Sequence, residues 1–154
     1  MSRADRQDRA DDRWVEHPEP RYPGERLGLP ETGRTSLASW KSRIGALVLD
    51  WALSMLIAIA IFSPAVLTET DWRRFMTLAV FFVESALLSA TAGGSFGQLL
   101  LRIAVMRLDG RPLGVPRAIA RAALVSLALP PLIVDGNRRG LQDMICGTVV
   151  VNRR

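Results

Sequence analysis

The chain has 154 residues, with 20 Lys and Arg against 15 Asp and Glu, and 49% of its positions are hydrophobic. Residues 1–43 hold 9 basic and 8 acidic groups, which leaves 11 and 7 for the other 111 positions. That split excludes a uniform soluble globule, since a polar arm precedes an unusually apolar body. His17 is the only histidine and Cys146 the only cysteine. A disulfide framework, a Cys/His zinc site and a Ser-His-Asp triad in the body are thereby excluded.

The arm, residues 1–38, contains Pro18, Pro20, Pro23 and Pro30, mixes both signs of charge and lacks apolar periodicity. Such a segment buries too little surface to offset its ordering entropy, so it is expected to be disordered. Its near-balanced charge argues against nucleic acid as a partner. With no apolar run in its first 38 residues it does not read as a cleaved signal peptide. Residues 39–154 form the membrane domain.

Ile44–Phe62 runs for 19 positions with one charge, Asp50. That is long enough to cross a hydrocarbon core of about 30 Å. Ser63-Pro64 ends it, and Trp40 with Lys41 precedes it as an interfacial anchor. A second run, Phe75–Ala92, again carries one charge, Glu84, and is flanked by Trp72, Arg73, Arg74 and Gly93-Gly94. The two read as a transmembrane hairpin joined by a short loop through Glu69 and Asp71.

Gly93 and Gly97 have a small-xxx-small spacing that marks either a close helix contact or, the reading preferred here, a turn out of the membrane. The stretch from Gly93 to Gln98 is not a P-loop, because the Lys-Ser/Thr ending is missing. Beyond it, residues 101–108 suit a short strand that ends at the Asp109-Gly110 turn. Residues 147–152 are the other strand candidate, and the two would pair as a small ribbon packed on the helices.

The third apolar region, Ala122–Val134, is 13 residues long and broken by Pro130-Pro131. Arg117 and Arg121, four residues apart, line one face of its lead-in. A re-entrant segment and a full span are both open, and the first is favoured. Arg138, Arg139, Arg153 and Arg154 would otherwise end up outside, against the positive-inside rule. The same rule puts the N-terminus, residues 93–117 and the ribbon in the cytoplasm. Arg138-Arg139 either touch anionic headgroups or form a solvated basic turn. Cys146 reads as a small buried apolar residue.

Asp50 lies about 10 Å deeper than Arg43 on nearly the same helical face, and Glu84 about 13 Å from its own end. Each mid-membrane charge costs about 2.5–3.5 kcal/mol and must face protein or water. Two readings follow. One is an ion- or proton-handling pair, Asp50 and Glu84, with Arg43 or Arg121 as counter-charge. The other is a set of buried pairs that hold the bundle's register.

Three blocks of sequence resemble the RDD family of small bacterial membrane proteins. The first is Arg43 with Asp50. The second runs from Gly93-Gly-Ser-Phe-Gly-Gln-Leu-Leu through Asp109-Gly110. The third is Arg139-Gly-Leu-Gln-Asp143 followed by Gly147-Thr-Val-Val150. The resemblance covers about Ser39–Asn152. It implies transport of unidentified ligands, with sodium/proton exchange in some members. Gln98 stands where the family commonly has Lys and Gln142 where it often has His, so two basic groups are absent.

The expectation is an α-helical membrane protein of the bacterial inner membrane. It has a transmembrane hairpin, a third re-entrant or spanning segment, a cytoplasmic β-ribbon and a disordered arm. Arg43, Asp50 and Asp143 are expected to form one polar cluster, with Glu84 and Arg121 nearby. No cofactor, metal or catalytic constellation is expected. Its partners are the lipid bilayer and either other membrane subunits or further copies of itself. Its role is accessory or transport-related, or alternatively that of an oligomeric ion or proton exchanger.

Overall fold

The computed structural model describes residues 19–68, 72–127, 135 and 139–154, without the side chain of Arg74. Residues 1–18, 69–71, 128–134 and 136–138 lie outside the described residues. With them go His17, Glu69, Asp71, the Pro130-Pro131 tip and Arg138.

The described chain is mostly helical. Helix α1 spans Trp40–Phe62, α2 Met76–Ala92, α3 Phe96–Leu100, α4 Val115–Ser126 and α5 Leu141–Cys146. Strands β1 (Ile103–Arg107) and β2 (Thr148–Asn152) form one antiparallel ribbon, with Val105 opposite Val150. This is the pairing expected from residues 101–108 and 147–152.

Helix α1 starts four residues before the apolar run because Ser39 caps it, its Oγ accepting the Ser42 N–H at 3.1 Å. The turn at Ser63-Pro64 ends it as expected. Among the described helices, α1 alone is long and apolar enough to cross a membrane by itself. Helix α2 has 17 residues, about 26 Å of rise, and the 3-10 turn Trp72–Phe75 precedes it. Gly93 closes α2 at φ 75°, a left-handed conformation that glycine adopts without strain, and donates its N–H to Leu88 O.

Helices α1 and α2 pack against each other, and α2 also packs on α4. What they bury is, Phe81 apart, small or polar. Ala46, Asp50, Ser54 and Ala58 form the hidden stripe of α1, and Thr77, Phe81, Ser85 and Ser89 that of α2, each at four-residue spacing. What they expose is large and apolar, including Ile44, Val48, Leu56, Ile61, Val83 and Leu87. Burying serines while showing isoleucine inverts the order of a water-soluble core. It suits a hydrocarbon surround, where small residues let helices approach and large ones meet lipid.

The ribbon end of the bundle carries a conventional apolar core. Val149 and Val151 pack with Leu29, and Ala38, Ala46, Ile103 and Val150 form a second cluster. The segment 19–38 therefore differs from the disordered arm expected there. Leu37 bridges Val151, the Ala38 N–H donates to Val150 O at 3.0 Å, and the Asn152 N–H donates to Ser36 O at 2.9 Å. Burying Leu29 alone is worth about 2 kcal/mol. An apolar partner far along the chain supplies what the segment's own composition lacks.

Candidate functional site

The site lies where α1, α2 and α4 meet α3 and the start of β2. The Ser95-x-x-Gln98 pattern opens α3, with the Ser95 N–H donating to Gln98 Oε1 at 3.1 Å. The Ser95 hydroxyl donates to Asp50 Oδ2, at 2.6 Å. The Gly97 N–H donates to Asp50 Oδ1. One residue earlier, the Phe96 N–H donates to Glu84 Oε1 at 2.7 Å. The Ser85 hydroxyl reaches Glu84 Oε2 at 3.3 Å. Two acids from different helices thus hold two successive amides of one short helix.

Gly97 makes this possible by its size. A Cβ there would stand 2.1 Å from Ala46 O, so only glycine lets α3 lie against the backbone of α1. Gly93 is the expected turn, while Gly97 realises the other reading of the small-xxx-small pair, a close helix contact.

The second half of the site is an ion pair. Arg121 Nε donates to Asp143 Oδ1 at 2.8 Å, and both side chains are almost wholly buried. The Thr148 hydroxyl adds a bond to the same Oδ1 at 3.0 Å. Gln142 Nε2 lies 3.5 Å from Oδ2, so the glutamine beside Asp143 turns its amide onto that carboxylate. Arg43 donates through Nη2 to Val150 O at 3.3 Å and stacks on the Trp40 ring at 5.9 Å.

A cavity of about 80 Å³ joins the two halves. Arg43, Asp50, Ser85, Ser95, Gln98 and Arg121 supply its polar wall. The five residues singled out from sequence therefore fall into one connected region. Arg43, Asp50 and Arg121 face the cavity, Asp143 holds Arg121 from behind, and Glu84 anchors α3 beside it. The arginine on Asp143 is Arg121, from α4. Arg139, in the turn before α5, is held by Asp135 through its N–H at 2.8 Å and its Nε at 3.0 Å.

Ser95, Gly97, Gln98 and Thr148 belong to the site as well, although none of them was among the expected cluster residues. The capping pattern at Ser95 was readable in the sequence; a close contact at Gly97 was open there as the less favoured reading of its spacing, without α1 as the partner. Among the described residues no group of three or more His, Cys, Asp or Glu side chains is placed to hold a metal ion. Cys146 is buried, as expected, and burial raises its thiol pKa, against an opposing pull from Arg121.

Compared with curated proteins and with solved structures, the chain matches none. The profile of the RDD family matches residues 37–147, which include the Arg43–Asp50 block, the glycine-rich exit of α2 and the Arg139–Asp143 block. With that match over most of its length, and with a hairpin that hides small polar residues and exposes large apolar ones, the chain belongs to the RDD family of membrane proteins.

Proposed function

We propose that the protein is a non-enzymatic, accessory or transport-related component of the bacterial inner membrane, whose buried Arg/Asp/Glu cluster holds its helices in register. The observation that carries this reading is the use made of the two mid-span acids. Asp50 and Glu84 each accept a backbone N–H from the first turn of α3, and Asp143 is closed on Arg121. Carboxylates committed to backbone amides act as internal fasteners.

The chain spans the bilayer with α1 and α2, N-terminus inside. Its third segment enters from the ribbon end and returns to it. The return of the chain supports this, because Asn152 bonds Ser36, and the Arg153 N–H donates to Arg102 O at 2.8 Å beside the end of α2. Residues before α1, after α2 and at the C-terminus thus share one end, and that end carries Lys41, Arg102, Arg153 and Arg154. An oligomer or a partner subunit covers part of the exposed apolar face.

The test compares Asp50→Asn and Glu84→Gln with the unaltered protein. Abundance in the membrane and assembly in native gels are expected to fall, and the unaltered protein in proteoliposomes is expected to move neither sodium nor protons. The cavity beside Asp50 favours a second reading, an oligomeric exchanger working through Asp50 and Glu84. Ion flux in the unaltered protein that vanishes in a well-folded Asp50→Asn variant would establish it instead.

A further inference from the structure

Lys41 opens the exposed face of α1, and Ile44 and Val48 continue that face one and two turns on, so a cation stands at the head of an apolar stripe. A second exposed stripe lies beside it, where the end of α3 presents Leu101 and then Arg102. The two stripes meet. Leu101 Cδ1 lies 3.0 Å from where a Cβ on Gly45 would stand, and Gly45 is one turn beyond Lys41. Both cations therefore stand at the ribbon end of one shallow apolar seam.

Arg102 is fixed in this place. Its φ of 57° is left-handed, which is uncommon for a residue with a side chain. Backbone bonds hold it on both sides: its N–H donates to Leu99 O at 3.1 Å, and its carbonyl accepts the Arg153 N–H at 2.8 Å. The charges of this pair are also uncompensated within the fold. Asp109 pairs with Arg107, Asp143 with Arg121 and Asp135 with Arg139. Among the described residues neither Lys41 nor Arg102 has an ion pair. Two free cations above an apolar seam, at the depth where a membrane helix begins, match an anion that carries its own hydrocarbon chain. A guanidinium and an ammonium suit the oxygens of a phosphodiester.

We propose that the seam between α1 and α3 binds an anionic glycerophospholipid of the phosphatidylglycerol class, its phosphate between Lys41 and Arg102 and an acyl chain along Ile44, Val48 and Leu101. The inference rests on reading α1 as a membrane span that begins at the bilayer surface, and it requires no transport. Its test measures binding in detergent, apart from the flux and assembly measurements, so either idea can fail alone.

The experiment uses the full-length protein purified in a neutral detergent. Its thermal midpoint is followed as phosphatidylglycerol is added to the micelles, with phosphatidylcholine of the same chains and inorganic phosphate as controls. The expected result is a saturable rise with phosphatidylglycerol alone. Lys41→Gln and Arg102→Gln should each weaken the apparent affinity about fivefold, and the double variant about thirtyfold. Arg26→Gln with Arg34→Gln removes the same charge from exposed positions before α1 and should leave the response unchanged.

An equal rise with phosphatidylcholine overturns the proposal as general solvation by lipid. The same rise with inorganic phosphate overturns it in favour of a free-anion site. A response that survives the double variant, or falls as far in Arg26→Gln with Arg34→Gln, overturns the assignment to this seam. Should the double variant fail to fold, the two single variants decide by the same comparison.

Discussion

Asp50 on α1 and Glu84 on α2 accept hydrogen bonds from consecutive backbone amides, those of Gly97 and Phe96. The two acids meet at one place because the short helix α3 packs on both α1 and α2 and turns its first amides to them. This shared set of donors explains how one small chain keeps two carboxylates within its apolar helices. Each charge meets backbone N–H donors that would themselves be unsatisfied at the start of a helix.

Replacing Gly97 by alanine is expected to be the most damaging small substitution in the chain. The new Cβ would overlap Ala46 O and push α3 off α1, breaking the Asp50 bond as well. Overpacking of this kind costs about 1–3 kcal/mol, and the lost charge-assisted bond adds to it. Thermal unfolding in detergent reads the loss; a midpoint equal to that of the unaltered protein would show that α3 does not lie against α1.

Asp50→Asn keeps the shape and removes the charge. Its carbonyl oxygen still accepts from Gly97, but the bond is no longer charge-assisted, and destabilisation of about 1.5–3 kcal/mol is expected. Glu84→Gln should cost less, because Glu84 is only half-buried while Asp50 is almost fully enclosed. Equal losses in denaturant titrations of the two variants would contradict this ordering.

Arg121 and Asp143 make a closed buried pair, so removing either alone strands a charge. Arg121→Met and Asp143→Leu should each destabilise by about 3–5 kcal/mol, while the double variant recovers most of that loss. A double-mutant cycle measures the difference. Additive losses would mean that the two side chains are not partners.

The Cys146 thiol should resist maleimide in the folded protein, on whichever side of the membrane it lies. It is buried, and burial holds its pKa above the ordinary thiol range. The raised pKa lowers the thiolate fraction at neutral pH, so the labelling rate should climb as pH rises and lag behind that of a free thiol. Stopped-time labelling from pH 7 upward, with and without denaturant, checks both points. A cysteine placed after Arg154 then reports the side of the C-terminus.

Leu29 tests the docked segment before α1. Leu29→Ala uncovers Val149 and Val151 and should cost about 2–3 kcal/mol. A free, unpacked arm would show no change in thermal midpoint.

Run lengths and residue types alone determined where the apolar helices, the glycine turn at Gly93 and the two strands of the ribbon would fall. These are local features, set by 3.6- and 2-residue periodicity and by turn chemistry. The positions of Arg43, Asp50, Glu84 and Arg121 were equally legible, since a charge within or beside an apolar run is conspicuous, while Asp143 was marked by the resemblance to the RDD family. Which of them meet was decided by the tertiary structure. Asp50 finds its donors 45 and 47 positions away, and Arg121 its acid 22 positions away. Such pairings depend on how closely α3 can approach α1, which the absent side chain of Gly97 settles. The order of residues 19–38 is of the same kind. Polar and proline-rich in itself, that segment is held by Val149 and Val151, whose apolar faces exist only once the ribbon has formed.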